Sequence, residues 1–144
     1  MGAKWNRILV PIQFSKRLPS SELQLAREVA RTHEATIILL HVIPISPAVG
    51  ADAGLAAQYY VEAEEDAKAR LRKLSQSRLR GFKVEIDVEV GEPADVIVKQ
   101  AAKLRADLVI MAIHGREGIK RLLLGSVAEH VVRSCPCPTL TVRP

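Results

Sequence analysis

The residues best equipped for chemistry lie between Ala106 and Ser134, in ADLVIMAIHGREGIKRLLLGSVAEHVVRS. A strand-like apolar run, Leu108 to Ile113, breaks at His114-Gly115, passes through a segment carrying Arg116, Lys120 and Arg121, and restarts at Gly125-Ser126 with helical spacing. Glycine lets backbone N–H groups approach an anion that a side chain would hold off, and a helix start adds unpaired donors and partial positive charge. The chemistry implied is anion binding, with Arg116, Lys120 and Arg121 able to neutralise phosphate.

Other reactive side chains have quieter explanations. His41 falls inside the apolar run Ala35 to Ile43 with no acid or nucleophile beside it, so a core histidine bonded to backbone is expected. His114 reads as a turn histidine with a local hydrogen bond. Asp95 follows Pro93 at a helix start, where a carboxylate complements the helix dipole. Cys135 and Cys137 are one residue apart, too tight for an unstrained disulfide, and are expected as reduced thiols. With His130 and His114 the only extra ligands nearby, they do not make a metal site. No general base is positioned for a reaction, so binding rather than bond breaking is expected.

These groups need a scaffold, and the hydrophobic pattern supplies one. Arg7 to Val10 is a short apolar strand ending near Ile12, and the polar group from Gln13 to Ser15 follows it as a candidate site loop. After Pro19, Ser21 and Gln24 stand at capping-box spacing, and Leu25, Ala26, Val29, Ala30 and His33 recur with a helical period. Ala35 to Ile43 is apolar nearly throughout, as a strand covered on both faces must be. Pro44 to Gly54 has no periodicity and reads as a connection; Leu55 to Arg80 is the longest helix, ended by Gly81. Its acids Glu62, Glu64, Glu65 and Asp66 precede its bases, which suits the macrodipole and a solvated face.

Phe82 to Val90 alternates strictly between apolar and charged residues, the pattern of a strand near a sheet edge whose acids face water. Gly91 and Pro93 then turn the chain into a helix with Ala94, Ile97, Ala101 and Leu104 inward. Leu108 to Ile113 is the fourth strand, Gly125-Ser126 opens the last helix, and Thr139 to Val142 is a fifth strand. Strands alternating with helices imply an α/β fold, one doubly wound domain over residues 1–144 with a parallel sheet and helices on both faces.

Composition narrows the function classes. Of 144 residues 48% are apolar and 26% charged, which excludes disorder, and no apolar run is long enough to cross a membrane. With no cleavable leader pattern at the N-terminus, a soluble cytoplasmic protein is expected. The formal charge of +5 attracts anions generally, but aromatics are only 3% and do not interleave with the arginines, so neither nucleic acid nor membrane is expected as a partner.

Taken together, these segments resemble the universal stress protein family over nearly the whole chain: ILVPIQFS, LLHVI, VEVGEPADVIVKQA and the ending HGREGIKRLLLGSVAEHVVRSCPCPTLTV. ATP-binding members carry G-x2-G-x9-G-(S/T), whose positions fall here on Ala112, Gly115, Gly125 and Ser126. The resemblance implies a five-stranded parallel sheet of order 3-2-1-4-5 and a stress-response regulator binding ATP, or ADP or AMP, at the carboxyl ends of strands 1 and 4. It implies a homodimer through Thr139, Leu140, Thr141 and Val142. Backbone at Gly115, Gly125 and Ser126 would hold phosphates, the Ser126 hydroxyl adding a donor, and Val42 would face adenine. Gln13 would meet ribose or metal, with Ile12, His114, Arg116 and Val127 completing the adenine-nucleotide site.

Two positions depart from the family pattern. Where the motif opens with glycine this chain has Ala112: if the position needs positive φ, alanine costs about 1–2 kcal/mol, and if it needs close phosphate approach, the methyl intrudes. Where the family has aspartate after the first strand this chain has Gln13, which offers no carboxylate to magnesium, so weak magnesium dependence is expected. The competing expectation is a nucleotide-free dimeric interaction module of the same family.

Overall fold

The computed structural model describes residues 4–14, 20–50, 52–113 and 125–143. Five strands, β1 (Arg7–Pro11), β2 (Thr36–Ile43), β3 (Lys83–Val90), β4 (Leu108–Ala112) and β5 (Thr139–Val142), alternate with four helices, α1 (Ser20–His33), α2 (Ala53–Arg78), α3 (Pro93–Lys103) and α4 (Ser126–Ser134). Every paired strand is parallel, and the order across the sheet is β3-β2-β1-β4-β5. That is the expected order 3-2-1-4-5, with β1 at the centre.

The strand period of two sends alternate residues of the central strands into separate cores. Ile8 and Val10, with Ile37, Leu39, Leu108 and Ile110, pack under α1 and α2, while Leu9, Ile38, Leu40, Val109 and Met111 pack under α3 and α4. All of these except Met111 are fully buried, which is why β1, β2 and β4 read as unbroken apolar runs. Helices therefore lie on both faces, as the pattern predicts.

Boundaries differ from the sequence expectation where side chains cap helices. α1 begins at Ser20, so Ser21 lies inside it rather than capping it. α2 begins at Ala53, ahead of the expected Leu55, because the Asp52 carboxylate accepts from Gly54 N (2.9 Å) and Leu55 N (3.1 Å). Gly81, at φ +84, turns the chain from α2 into β3 in a conformation other residues resist. At Gly91 a Cβ would meet Val96 Cγ2 at 2.7 Å, so only glycine lets β3 pass this close to α3. The Glu92 carboxylate then caps α3 through Asp95 N (2.9 Å).

The wet face of β3 needs correction. Glu85 is at the surface, paired with Arg7 at 2.8 Å, and the guanidinium holds its carboxyl below the usual range. Asp87 and Glu89 instead lie half covered, because the Nε2 of buried Gln100 on α3 donates to Asp87 (2.5 Å) and Glu89 (3.2 Å). Burial, together with neighbouring Asp87, pushes the Glu89 carboxyl up. On α2 the i,i+4 pair that forms is Glu64 with Lys68, 2.9 Å apart.

At the amino ends of the strands, a polar clamp closes the sheet. Asp107 accepts the backbone N–H groups of Asn6 (2.8 Å) and Arg7 (2.9 Å). Arg7 in turn donates Nε to Leu104 O (2.7 Å) and reaches Glu85 with both terminal nitrogens. One residue thereby ties β1 to β3 and to the end of α3.

Candidate functional site

At the carboxyl end of the sheet, a cavity of about 320 Å³ opens where β1 and β4 lie side by side. This is where the connections from β1 and β4 depart in opposite directions, the position at which open parallel sheets receive ligands. Ile12 and Gln13 reach it from the end of β1, Val42 from β2, Ala112 from β4, and Gly125, Ser126 and Val127 from the start of α4. Seven sequence-predicted residues are thus brought together around one space. His114, Gly115 and Arg116, with Ser15, Lys120 and Arg121, lie outside the described residues.

The start of α4 is the chemically active wall. Gly125 is its N-cap and provides no side chain, and the first intrahelical bond is Glu129 N to Gly125 O at 2.9 Å. The N–H groups of Ser126, Val127 and Ala128 have no carbonyl within the helix, and all three residues line the cavity. By contrast α2 and α3 each have a carboxylate cap, from Asp52 and Glu92. An acidic cap on α4 would occupy the donors an anion needs; glycine leaves them open. Gly125 has φ −58, and a Cβ there would meet nothing within 4 Å, so its value is access rather than backbone freedom.

Ala112 settles one of the two sequence alternatives. Among the described residues only Glu34 and Arg105 have positive φ outside glycine, so Ala112 is unstrained in β4, paired with Val142. The strain alternative is wrong because the strand continues through this position. What remains is the methyl, at the cavity wall.

The other walls are apolar. Leu40 and Val42 from β2, Met111 from β4 and Ile97 from α3 surround the space, with Pro44 and Pro93 at its margin. Of the side chains lining it, only Gln13 and Ser126 are polar among the described residues. An apolar slot beside an array of N–H donors suits a flat, hydrophobic ring joined to an anionic group. No lining side chain could serve as a general base at neutral pH among the described residues.

Sequence reasoning missed the α3 wall. Ile97 was legible only as a core residue of an amphipathic helix, and Pro93 only as a helix starter; both sit at the cavity because Gly91 brings α3 close to the sheet. Asp95 on α3 also meets His130 on α4 at 3.4 Å, linking the two helices that flank the opening. His41 is structural, as expected: its Nδ1 lies 2.8 Å from Ile12 O, fixing the chain beside Gln13. Cys135 and Cys137 are free thiols with Sγ atoms 3.7 Å apart behind α4, and burial first, then Cys135, pushes the Cys137 thiol up to about 12.

Comparison with known proteins agrees with this arrangement. The model of the universal stress protein family matches residues 4–143. Universal stress protein MJ0531 of Methanocaldococcus jannaschii is 34% identical over 96% of this chain and 82% of its own length. The solved structure of hypothetical protein MJ0577 superimposes with a TM-score of 0.80 at 29% identity, covering 99% of this chain and 98% of that one. A universal stress protein from Archaeoglobus fulgidus, solved in complex with dAMP, shares the fold at a TM-score of 0.65 and 23% identity, covering 96% and 98% of the two chains. With the family's sheet order in place and its model spanning all but the chain's ends, this chain belongs to the universal stress protein family.

Proposed function

We propose that this chain is a stress-response regulator that binds an adenine nucleotide, ATP in the first place or else ADP or AMP, at the cavity between β1 and β4. The observation that carries this is the uncapped start of α4, which presents the N–H groups of Ser126, Val127 and Ala128 to an otherwise apolar slot. Adenine packs against Val42 and the phosphates lie at Gly125-Ser126, with Gln13 toward the ribose. The dAMP complex of the A. fulgidus relative supports the ligand class. The protein binds rather than cleaves, and depends less on magnesium than relatives with aspartate at this position, because Gln13 supplies no carboxylate. It works in the cytoplasm as a homodimer, with neither nucleic acid nor membrane as partner.

Denaturing the purified protein and identifying released nucleotide tests this, followed by calorimetry with ATP, ADP and AMP. Protein that is empty and binds none of the three overturns it. That result would favour the second reading, a nucleotide-free dimeric module. Its support is the Ala112 methyl at the cavity wall, where the motif of ATP-binding members has glycine.

A further inference from the structure

The opposite end of the sheet holds a second concavity, of about 640 Å³, where α1 and α2 finish and β2 and β3 begin. Lys4, Arg31, Arg80 and Lys83 line it, with Glu34 the single acid. Four cations against one anion leave a formal +3 here, out of +5 for the whole chain. Basic residues at helix C-termini ordinarily answer the helix dipole, about half a negative charge per terminus. Two termini account for about one unit of the three, so the excess has another purpose.

None of the four cations forms an ion pair or side-chain hydrogen bond among the described residues. Arg31 is instead held over the Phe82 ring, 5.7 Å from its centroid, which orders the guanidinium without neutralising it. Between them runs the turn Leu79 to Phe82, closed by Phe82 N to Leu79 O at 3.2 Å. Gly81 at φ +84 is one of its two central residues, so the N–H groups of Arg80 and Gly81 are outside the turn's own hydrogen bond. Consecutive free N–H groups at such a turn form an anion-binding nest.

We propose that this concavity is a second ligand site, specific for a soluble anion bearing several phosphate groups and separate from the site at the carboxyl end. Its cations are spread around an open space, which matches charge distributed over a chain of phosphates better than a single carboxylate. Among the described residues lining it, the one aromatic, Phe82, has Arg31 over its ring, so no open face is offered for base stacking.

Calorimetry with inorganic tripolyphosphate at low salt tests the assignment, with the double variant Arg80→Ser, Lys83→Ser as comparison and adenosine as an uncharged probe of the other end. The wild type binds tripolyphosphate, and the double variant loses at least tenfold in affinity with an unchanged melting temperature. Adenosine leaves tripolyphosphate binding unaltered. Wild type that does not bind, affinity that survives the double variant, or binding abolished by adenosine each overturns the proposal. So does capture only by phosphatidylcholine vesicles containing a phosphorylated inositol lipid, which would assign the cations to a membrane headgroup. Failure of ATP, ADP and AMP all to bind refutes the nucleotide reading and, where tripolyphosphate still binds, leaves this site standing.

Discussion

The two ends of this sheet handle charge in opposite ways. At the carboxyl end the helices begin, so the backbone itself is electropositive, and among the described residues α4 offers three N–H groups without a partner and the lining has no cationic side chain. At the amino end the helices finish, the backbone is electronegative, and the protein places side-chain cations: Arg7 in a clamp and four more around an open concavity. Parallel topology dictates this polarity, since every strand starts at one end and every crossover helix starts at the other. An anion site at the carboxyl end can be built from glycine and helix geometry, whereas one at the amino end has to be built from arginine and lysine.

If that is right, a negative charge at the start of α4 does the most damage. Gly125→Asp puts a carboxylate at an N-cap, which aspartate fills slightly better than glycine. Helix stability holds or rises by a few tenths of a kcal/mol, while adenine-nucleotide affinity falls about 100-fold, or about 2.8 kcal/mol. Gly125→Ala is the control, because its φ of −58 suits alanine and a Cβ would meet nothing within 4 Å. It should lose far less. Calorimetry showing equal losses for the two would mean that space rather than charge governs the site.

The clamp at the amino end is expected to matter for stability and not for nucleotide. Asp107→Ala strands the N–H groups of Asn6 and Arg7 and frees the start of β1, costing about 2 kcal/mol. Urea unfolding measures it, with nucleotide affinity of the folded protein unchanged. A large affinity change would show that the two ends are coupled.

Much of this was legible in the chain. Apolar runs such as Ile37 to Leu40 announce a strand buried on both faces, and G-S at 125–126 announces the helix start at the site. What escaped depended on contacts across the chain. Asp87 and Glu89 alternate like surface residues, yet Gln100 reaches them from α3, thirteen and eleven positions away. Arg7 reads as a strand flank until it is seen to span from β1 to Glu85 on β3. The basic concavity joins Lys4, Arg31, Arg80 and Lys83, which no local spacing connects. Asp52 was missed as a cap because Gly54 interrupts the helical pattern behind it.

Ala112 provides a gentler perturbation of the carboxyl end. Since its backbone is unstrained, Ala112→Gly relieves nothing and, as a glycine in a strand, costs about 0.5–1 kcal/mol of stability. Removing the methyl lets phosphate approach β4, so affinity for ATP should rise about fivefold, a gain of about 1 kcal/mol. Adding Gln13→Asp should make that binding depend on magnesium, read by titrating with and without the ion. An affinity that falls in Ala112→Gly would mean that the methyl packs on the ligand rather than obstructing it.

The smallest effect tests whether carboxyls at the carboxyl end are disfavoured as anions. Glu89, near the end of β3, has its carboxyl raised by burial and by Asp87, with Glu64 adding to this and Lys103 opposing it. A raised folded-state value means the group favours folding fully below its unfolded value, about 4.3, and that contribution is lost as pH rises through the folded value. At pH 7 ionised Glu89 is therefore a liability, and Glu89→Gln removes it while keeping an oxygen that can accept from Gln100. The variant should melt about 2 °C higher at neutral pH, with the gain shrinking as pH falls and the wild-type carboxyl takes up its proton. A gain that persists undiminished in acid would trace the effect to packing, and a loss at neutral pH would show that the Gln100 bond to a charged partner outweighs the burial of that charge.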